Sequence, residues 1–345
     1  MESVNRAFRV DHAIVRWRAK RARANGYRAA VIPYTCYGST TWVRVLGRVL
    51  LTNESKRGSR TPQPTGSRGW RSFTSVPVEG ATVHVDAGGS SHEVTADRSG
   101  IVDVVVEVDL EPGWHTIGLS SEGSEVMDAR VFIVDPHAEI GLVSDIDDTV
   151  MVTALPRPLL AAWHTFVVNE HARATTPGMP VLYERVTTAH RTAPVIYLST
   201  GAWNVAPTLS RFLSRNLYPP GALLLTAWGP TADRWFRSGQ AHKNSSLARL
   251  SQEFPDIKWL LVGDDGQHDE TIYTEFSLAH HNNVAAVCIR QLTPGEAVLA
   301  GSATKEHPRN DAVPWLYAAD GAGFTDELET LGLITNDLQQ HEVEG

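Results

Sequence analysis

Five compact apolar runs follow Pro136: Ile140 to Ser144, Pro194 to Ser199, Gly221 to Thr226, Lys258 to Gly263 and Val284 to Ile289. None shows strong polar alternation. A strand apolar on both faces must be covered on both, which is the situation of a parallel sheet packed between helices. Helical patterning at about 157–171, 179–190, 205–215, 242–253 and 269–281 fills the intervals. This succession of strand and helix implies an α/β fold built on a Rossmann-like, mainly parallel sheet.

The chain before Pro136 reads differently. Thr41 to Leu51, Thr82 to Asp86, Ile101 to Leu110, Trp114 to Leu119 and Ala129 to Val134 are short runs rich in Val and Ile. Turn-forming stretches separate them, among them Asp86 to Ser91, Asp97 to Gly100 and Glu111 to Gly113. Short strands at such spacing point to an antiparallel β-sandwich over 31–136, with Thr52 to Ser72 as a long polar loop. A length of 345 residues agrees with two globular units. Residues 1–30 carry a basic helix over 7–24, 137–300 hold the α/β domain, and 301–345 read as a tail or lid with one short helix near Asp326 to Leu333.

Cys36 and Cys288 lie far apart without metal-ligand spacing, so neither a disulfide framework nor a zinc site is expected. No window approaches twenty uninterrupted apolar residues, and the N-terminus lacks the apolar core of a secretory signal. The expectation is a cytoplasmic protein. Charge is unevenly placed: residues 1–72 hold 15 Lys or Arg against 3 Asp or Glu, and the remainder 16 against 36. Such a split can orient a protein on an anionic surface, which makes peripheral membrane contact through the basic N-terminal part the expected partner interaction. A basic face solvated or set against the acidic remainder accounts for the same split. No nucleic acid is expected.

In open α/β sheets the ligand site lies beyond the carboxyl ends of the strands. The first strand of this region runs into Ser144-Asp145-Ile146-Asp147-Asp148-Thr149, and the second into Ser199-Thr200-Gly201. Ala241-His242-Lys243 opens a helix, and Trp259 to Val262 end in Gly263-Asp264-Asp265-Gly266-Gln267-His268-Asp269. Carboxylates at i and i+2 after a strand divide labour: Asp145 as nucleophile toward phosphorus, Asp147 as proton donor and acceptor. Phosphoryl oxygens repel a carboxylate, so a hard cation is required, and Mg²⁺ favours oxygen ligands. Asp145, Asp264 and the main chain of Asp147 are its candidate ligands, with Asp265 and Asp269 as further ones. Ser199 and Lys243 offer a hydroxyl and a fixed positive charge to the phosphoryl group. Thr149, Thr200, Gly201 and His242 complete the candidate substrate contacts. Each motif alone is also an ordinary turn or helix start; their joint order at strand ends carries the argument.

The order Asp145-x-Asp147-x-Thr149, Ser199, Lys243 and Gly263-Asp264 through Asp269 resembles the four motifs of the haloacid dehalogenase-like phosphohydrolases. Within that superfamily, Tyr197 to Asn204, His242-Lys243 and Gly263 to Tyr273 resemble the actin-patch type of phosphatidate phosphatase, relatives of the lipins. The resemblance covers roughly 137–293 and implies Mg²⁺, an aspartyl-phosphate route and a lipid phosphomonoester substrate. Ser199-Thr200-Gly201-Ala202-Trp203 departs from the family's usual Ser-Asn-Ser-Pro-Trp, and Asp265 stands where Ser is frequent. The short insertion between Thr149 and Pro194 implies a minimal cap. Protein, nucleic-acid-end or small-metabolite phosphoesters are alternative substrates, and a non-catalytic membrane- or partner-binding module is the alternative from another class.

Overall fold

The computed structural model describes residues 17–52, 76–152, 174–226, 232–266, 268–293, 295–296 and 312–335. The helix expected over 157–171, most of the polar loop after Thr52 and the first half of the basic helix lie outside these residues. The chain divides into two compact units, Met1–Pro136 and His137–Gly345.

In the first unit a helix over 17–24 (α1) precedes nine strands: β1 Arg28–Pro33, β2 Cys36–Gly38, β3 Trp42–Thr52, β4 Val76–Pro77, β5 Thr82–Ala87, β6 Ser90–Thr95, β7 Ile101–Glu107, β8 Gly113–Ser121 and β9 Met127–Ile133. They hydrogen-bond in the order β1-β3-β2-β9-β8-β5-β6, and β4 and β7 also pair with β3. The pairings are antiparallel except that β2 runs parallel to β9. The sandwich expected from the sequence is thus one continuous hydrogen-bonded path. The reason is β2, which bonds β3 on one edge and β9 on the other. Val45, Val49, Val83, Val85, Ile117, Leu119, Val131 and Ile133 form a fully buried apolar core.

Part of the expected Asp86–Ser91 turn is strand. Only Gly88 and Gly89, both with positive φ, connect β5 to β6, as a two-residue hairpin requires. The β6 sequence Ser-Ser-His-Glu-Val-Thr lacks a buried face, and at the end of the sheet path it does not need one.

The second unit is α/β. Its strands are β10 Ile140–Asp145, β11 Val195–Ala202, β12 Ala222–Thr226, β13 Lys258–Asp264, β14 Val284–Arg290 and β15 Trp315–Ala318. Its helices are α2 Met179–Ala189, α3 Ala206–Arg215, α4 Ala232–Glu253, α5 Asp269–Ala279 and α6 Gly321–Thr330. All strand pairs are parallel, in the order β12-β11-β10-β13-β14-β15. This is the doubly wound order, in which the chain builds outward from β10 on one side and then from β13 on the other.

Part of the segment expected to be a tail instead completes this sheet. Trp315–Ala318 bonds along β14, and α6 packs on α2, where Arg185 pairs with Glu329 at 2.5 Å. A four-residue strand offers too little periodicity to stand out from its Gly- and Pro-rich surroundings. Helix α4 likewise begins ten residues before the expected position.

Candidate active site

Asp145 and Asp264 are the last residues of β10 and β13, adjacent strands on either side of the point where the winding direction changes. Loops leaving two neighbouring strands toward opposite faces open a crevice there. Both carboxylates are buried, at 3% and 1% exposure.

After Asp145 the chain turns tightly. The N–H groups of Val150 and Met151 both donate to the Ile146 carbonyl at 3.0 Å, and Asp148 N–H donates to the Met151 carbonyl at 2.8 Å. Asp148 takes φ +60°, a left-handed conformation that Asp tolerates better than most residues. Within this turn Asp147 accepts a hydrogen bond from the Ser199 hydroxyl, 3.1 Å to Oδ2. Ser199 lies where the β11–β12 register shifts between Leu198 and Ala202, and its Oγ accepts the Gly201 N–H at 3.0 Å. Thr226 Oγ1 secures that irregularity by donating to the carbonyls of Thr200 and Gly201. A bulge of this kind re-aims a side chain at the end of a strand.

Lys243, on the buried side of α4, places its ammonium 2.5 Å from Asp145 Oδ1 and 2.5 Å from Asp269 Oδ1. Asp269 occupies the first turn of α5, whose close seat depends on Gly263. A Cβ there would lie 2.7 Å from Asp269 Oδ2 and 2.8 Å from the Tyr273 ring. Asp145, Asp264 and Asp269 each bring a carboxylate oxygen within 4.8 Å of the other two.

Three buried carboxylates around one ammonium carry an uncompensated charge of two when all are ionised. Burial accordingly raises the Asp145 carboxyl well above its usual range, with Lys243 opposing the rise and Asp269 and Asp147 adding to it. Asp264 is raised by burial and by Asp269, Asp145 and Asp148. Burial works against the Lys243 ammonium, but Asp145 and Asp269 outweigh it and hold its pKa above the ordinary lysine value. Asp264 Oδ2 and Asp269 Oδ2 are buried without a hydrogen-bond partner. An all-oxygen donor set with orphaned buried oxygens and a surplus of two negative charges fits a hard divalent cation such as Mg²⁺.

The residues singled out in the sequence are not all gathered in this cluster. Thr149 is fully buried and its Oγ1 has no hydrogen-bond partner. Thr200 and Gly201 lie in the β11 irregularity, and His242 is half-buried next to Lys243, its carbonyl accepting from Ser245. Asp265 does not join the three carboxylates that converge; its Oδ1 accepts the Leu292 N–H at 3.0 Å, tying β13 to the chain after β14. The loop turns after Asp264, so successive side chains cannot both face the crevice. Cys36 and Cys288 are buried free thiols, and burial raises both. Sequence reasoning passed over Arg290, buried at the carboxyl end of β14 in register with Asp264. A charged residue closing an apolar strand was the available signal.

Residues 140–291 match the family model described as phosphatidate phosphatase APP1, catalytic domain. This segment is similar to that catalytic domain. The chain is 30% identical over 206 residues to phosphatidate phosphatase APP1 of Saccharomyces cerevisiae, covering 57% of this chain and 34% of that protein. An uncharacterized protein of Schizosaccharomyces pombe is 25% identical over 176 residues, 51% of this chain and 28% of its own length. The chain thus spans about a third of the curated relatives it matches. Among solved structures, a carbohydrate acetylesterase from Xanthomonas citri aligns over 79% of this chain and 73% of its own at 10% identity. Its TM-score of 0.29 carries no argument about fold or function.

Proposed function

We propose that the chain is a Mg²⁺-dependent phosphatase that hydrolyses a lipid phosphomonoester such as phosphatidate through an aspartyl-phosphate on Asp145. The observation that carries this reading is the Asp145 carboxylate held at 2.5 Å by the buried Lys243 beside Asp264, within an APP1-type catalytic domain. The yeast relative's name supplies the substrate class.

Asp145 attacks phosphorus, the bond from phosphorus to the lipid oxygen breaks, and Asp147 delivers its proton to the departing alkoxide. Asp147 then takes a proton from water, the water oxygen attacks phosphorus, and the Asp145–phosphorus bond breaks to release phosphate. Ser199 orients Asp147 through the 3.1 Å hydrogen bond, and Lys243 orients Asp145 while adding positive charge where phosphoryl oxygens gather. Asp145, Asp264 and the main-chain oxygen of Asp147 would hold Mg²⁺, with Asp269 beside them fixing Lys243. When bound, the ion supplies Lewis-acid neutralisation of the phosphoryl oxygens.

Val152 N–H bonds the Ala174 carbonyl at 3.0 Å, which holds the two ends of the insertion together. A small insertion suits a bulky substrate presented at an interface. Among the described residues no helix is long and apolar enough to cross a membrane. Contact with an anionic surface is assigned to the basic N-terminal part, where Trp17 is 61% exposed and Arg21 stacks on its ring at 5.7 Å. The deciding experiment is phosphate release from phosphatidate in mixed micelles with and without Mg²⁺. Release that requires the ion is expected. Turnover of soluble phosphoesters without turnover of phosphatidate would overturn the lipid assignment.

A further inference from the structure

Arg290 takes no part in the proposed proton and phosphoryl transfers, although the residue is 4% exposed and lies at the end of the strand adjoining Asp264. Its donors reach in three directions. Nη1 donates to the main-chain oxygen of Asp148 at 2.7 Å, Nη2 to Glu296 Oε1 at 2.9 Å and Nε to the main-chain oxygen of Ala319 at 3.2 Å. Stability alone is a weak explanation for such a group, because buried ion pairs are frequently replaceable by apolar residues without loss.

The Asp148 contact is the informative one. Asp148 sits between Asp147 and Thr149 at φ +60°, in the turn that leaves the nucleophile. In a trans peptide the carbonyl and the following N–H point in opposite directions, so anchoring the Asp148 oxygen also sets the direction of the Thr149 N–H. Tyr218 fixes the far side of the same turn, donating from its hydroxyl to the Val150 carbonyl at 2.9 Å. Guanidinium geometry suits this task, since its rigid fork satisfies several acceptors at set angles.

We propose that Arg290 is a positioning residue for phosphoryl transfer. It holds the Asp148–Thr149 peptide plane, and through it Asp147 and the Thr149 N–H, in the orientation used in the reaction. Glu296 and the Ala319 carbonyl orient Arg290 in turn, which links the β15 end of the sheet to the nucleophile turn. The inference rests on the phosphatase reading.

The test compares the full chain with Arg290→Lys, Arg290→Met and Glu296→Gln. Turnover is followed on phosphatidate micelles and on p-nitrophenyl phosphate, together with peptide-level hydrogen exchange. Arg290→Met is expected to lower kcat about 10- to 100-fold with KM changed less than about twofold, Arg290→Lys to lose less and Glu296→Gln least. Exchange over 146–151 should quicken in both Arg290 variants while 140–144 stays protected. Unchanged exchange over 146–151 in Arg290→Lys and Arg290→Met, or a kcat loss that only tracks the unfolded fraction, would overturn the proposal. If Arg290→Met does not fold, the other two variants decide. If the wild type turns over neither substrate, the phosphatase reading fails, and hydrogen exchange still decides whether Arg290 orders the turn.

Discussion

The Ser199 hydroxyl donates to Asp147 Oδ2 across 3.1 Å and joins residues 52 positions apart in the chain. In this arrangement Ser199 orients the proposed acid–base group before any phosphate is bound. Ser199→Ala should lower kcat on a phosphomonoester by about 10- to 100-fold through loss of that orientation. The unfolding midpoint should stay within a few degrees of wild type. Steady-state kinetics beside a thermal melt read both, and a variant with wild-type kcat would remove Ser199 from the mechanism.

Asp145→Asn keeps the shape of the side chain and removes the attacking oxygen anion. Turnover should fall at least about a thousandfold, as expected when a covalent nucleophile is lost. Circular dichroism should be unchanged. Trapping with labelled phosphoester and acid quench should label the wild type and leave the variant unlabelled.

Asp264→Asn separates charge from fold. Burial and neighbouring carboxylates raise the Asp264 carboxyl, so its ionised form destabilises the cation-free protein. Removing it should raise the cation-free melting temperature by a few degrees, about 1–2 kcal/mol, and abolish the rise that Mg²⁺ brings to the wild type. An undiminished Mg²⁺ response would take Asp264 out of the ion site.

The same shifts fix a pH dependence. Asp145 and Asp264 are raised above their unfolded values, so the folded state binds more protons than the unfolded one. Their contribution to stability is complete below about pH 4 and is lost as pH rises through the folded values. The cation-free melting temperature should fall as pH rises above the ordinary carboxylate range, and Mg²⁺ should stabilise more at the higher pH. Differential scanning fluorimetry measures this directly; an equal or larger Mg²⁺ effect at the lower pH contradicts it.

Lys243→Met leaves Asp145 and Asp269 buried without their shared cation. Destabilisation of about 3–5 kcal/mol is expected, because an unpaired buried charge is costly to keep. Urea denaturation at neutral pH should show it, with a smaller loss in acid, where the raised Asp145 carboxyl is protonated.

Legibility in the sequence followed the length and regularity of each element. The buried strands of the second unit stand out as unbroken apolar runs, and the placement of Asp145, Ser199 and Asp264 toward the carboxyl ends of three of them marked the candidate site. The four residues of β15 and the polar β6 lack such runs, so neither was readable. Asp265 and Asp269 looked equivalent as ligands on the page. Only the turn after β13 and the close seat at Gly263 decide that Asp269 enters the cluster while Asp265 caps Leu292.

Taken by itself, the order of residues determined an α/β unit after Pro136 and the identity of the groups at its strand ends, because apolar periodicity and strand-end polarity are local properties. Tertiary structure alone decided which of those groups touch. Lys243 bridges Asp145 and Asp269, and Arg290 reaches Asp148 from 142 residues away. Such contacts depend on the sheet order and on helix seating at ångström scale, which no local pattern in the chain encodes.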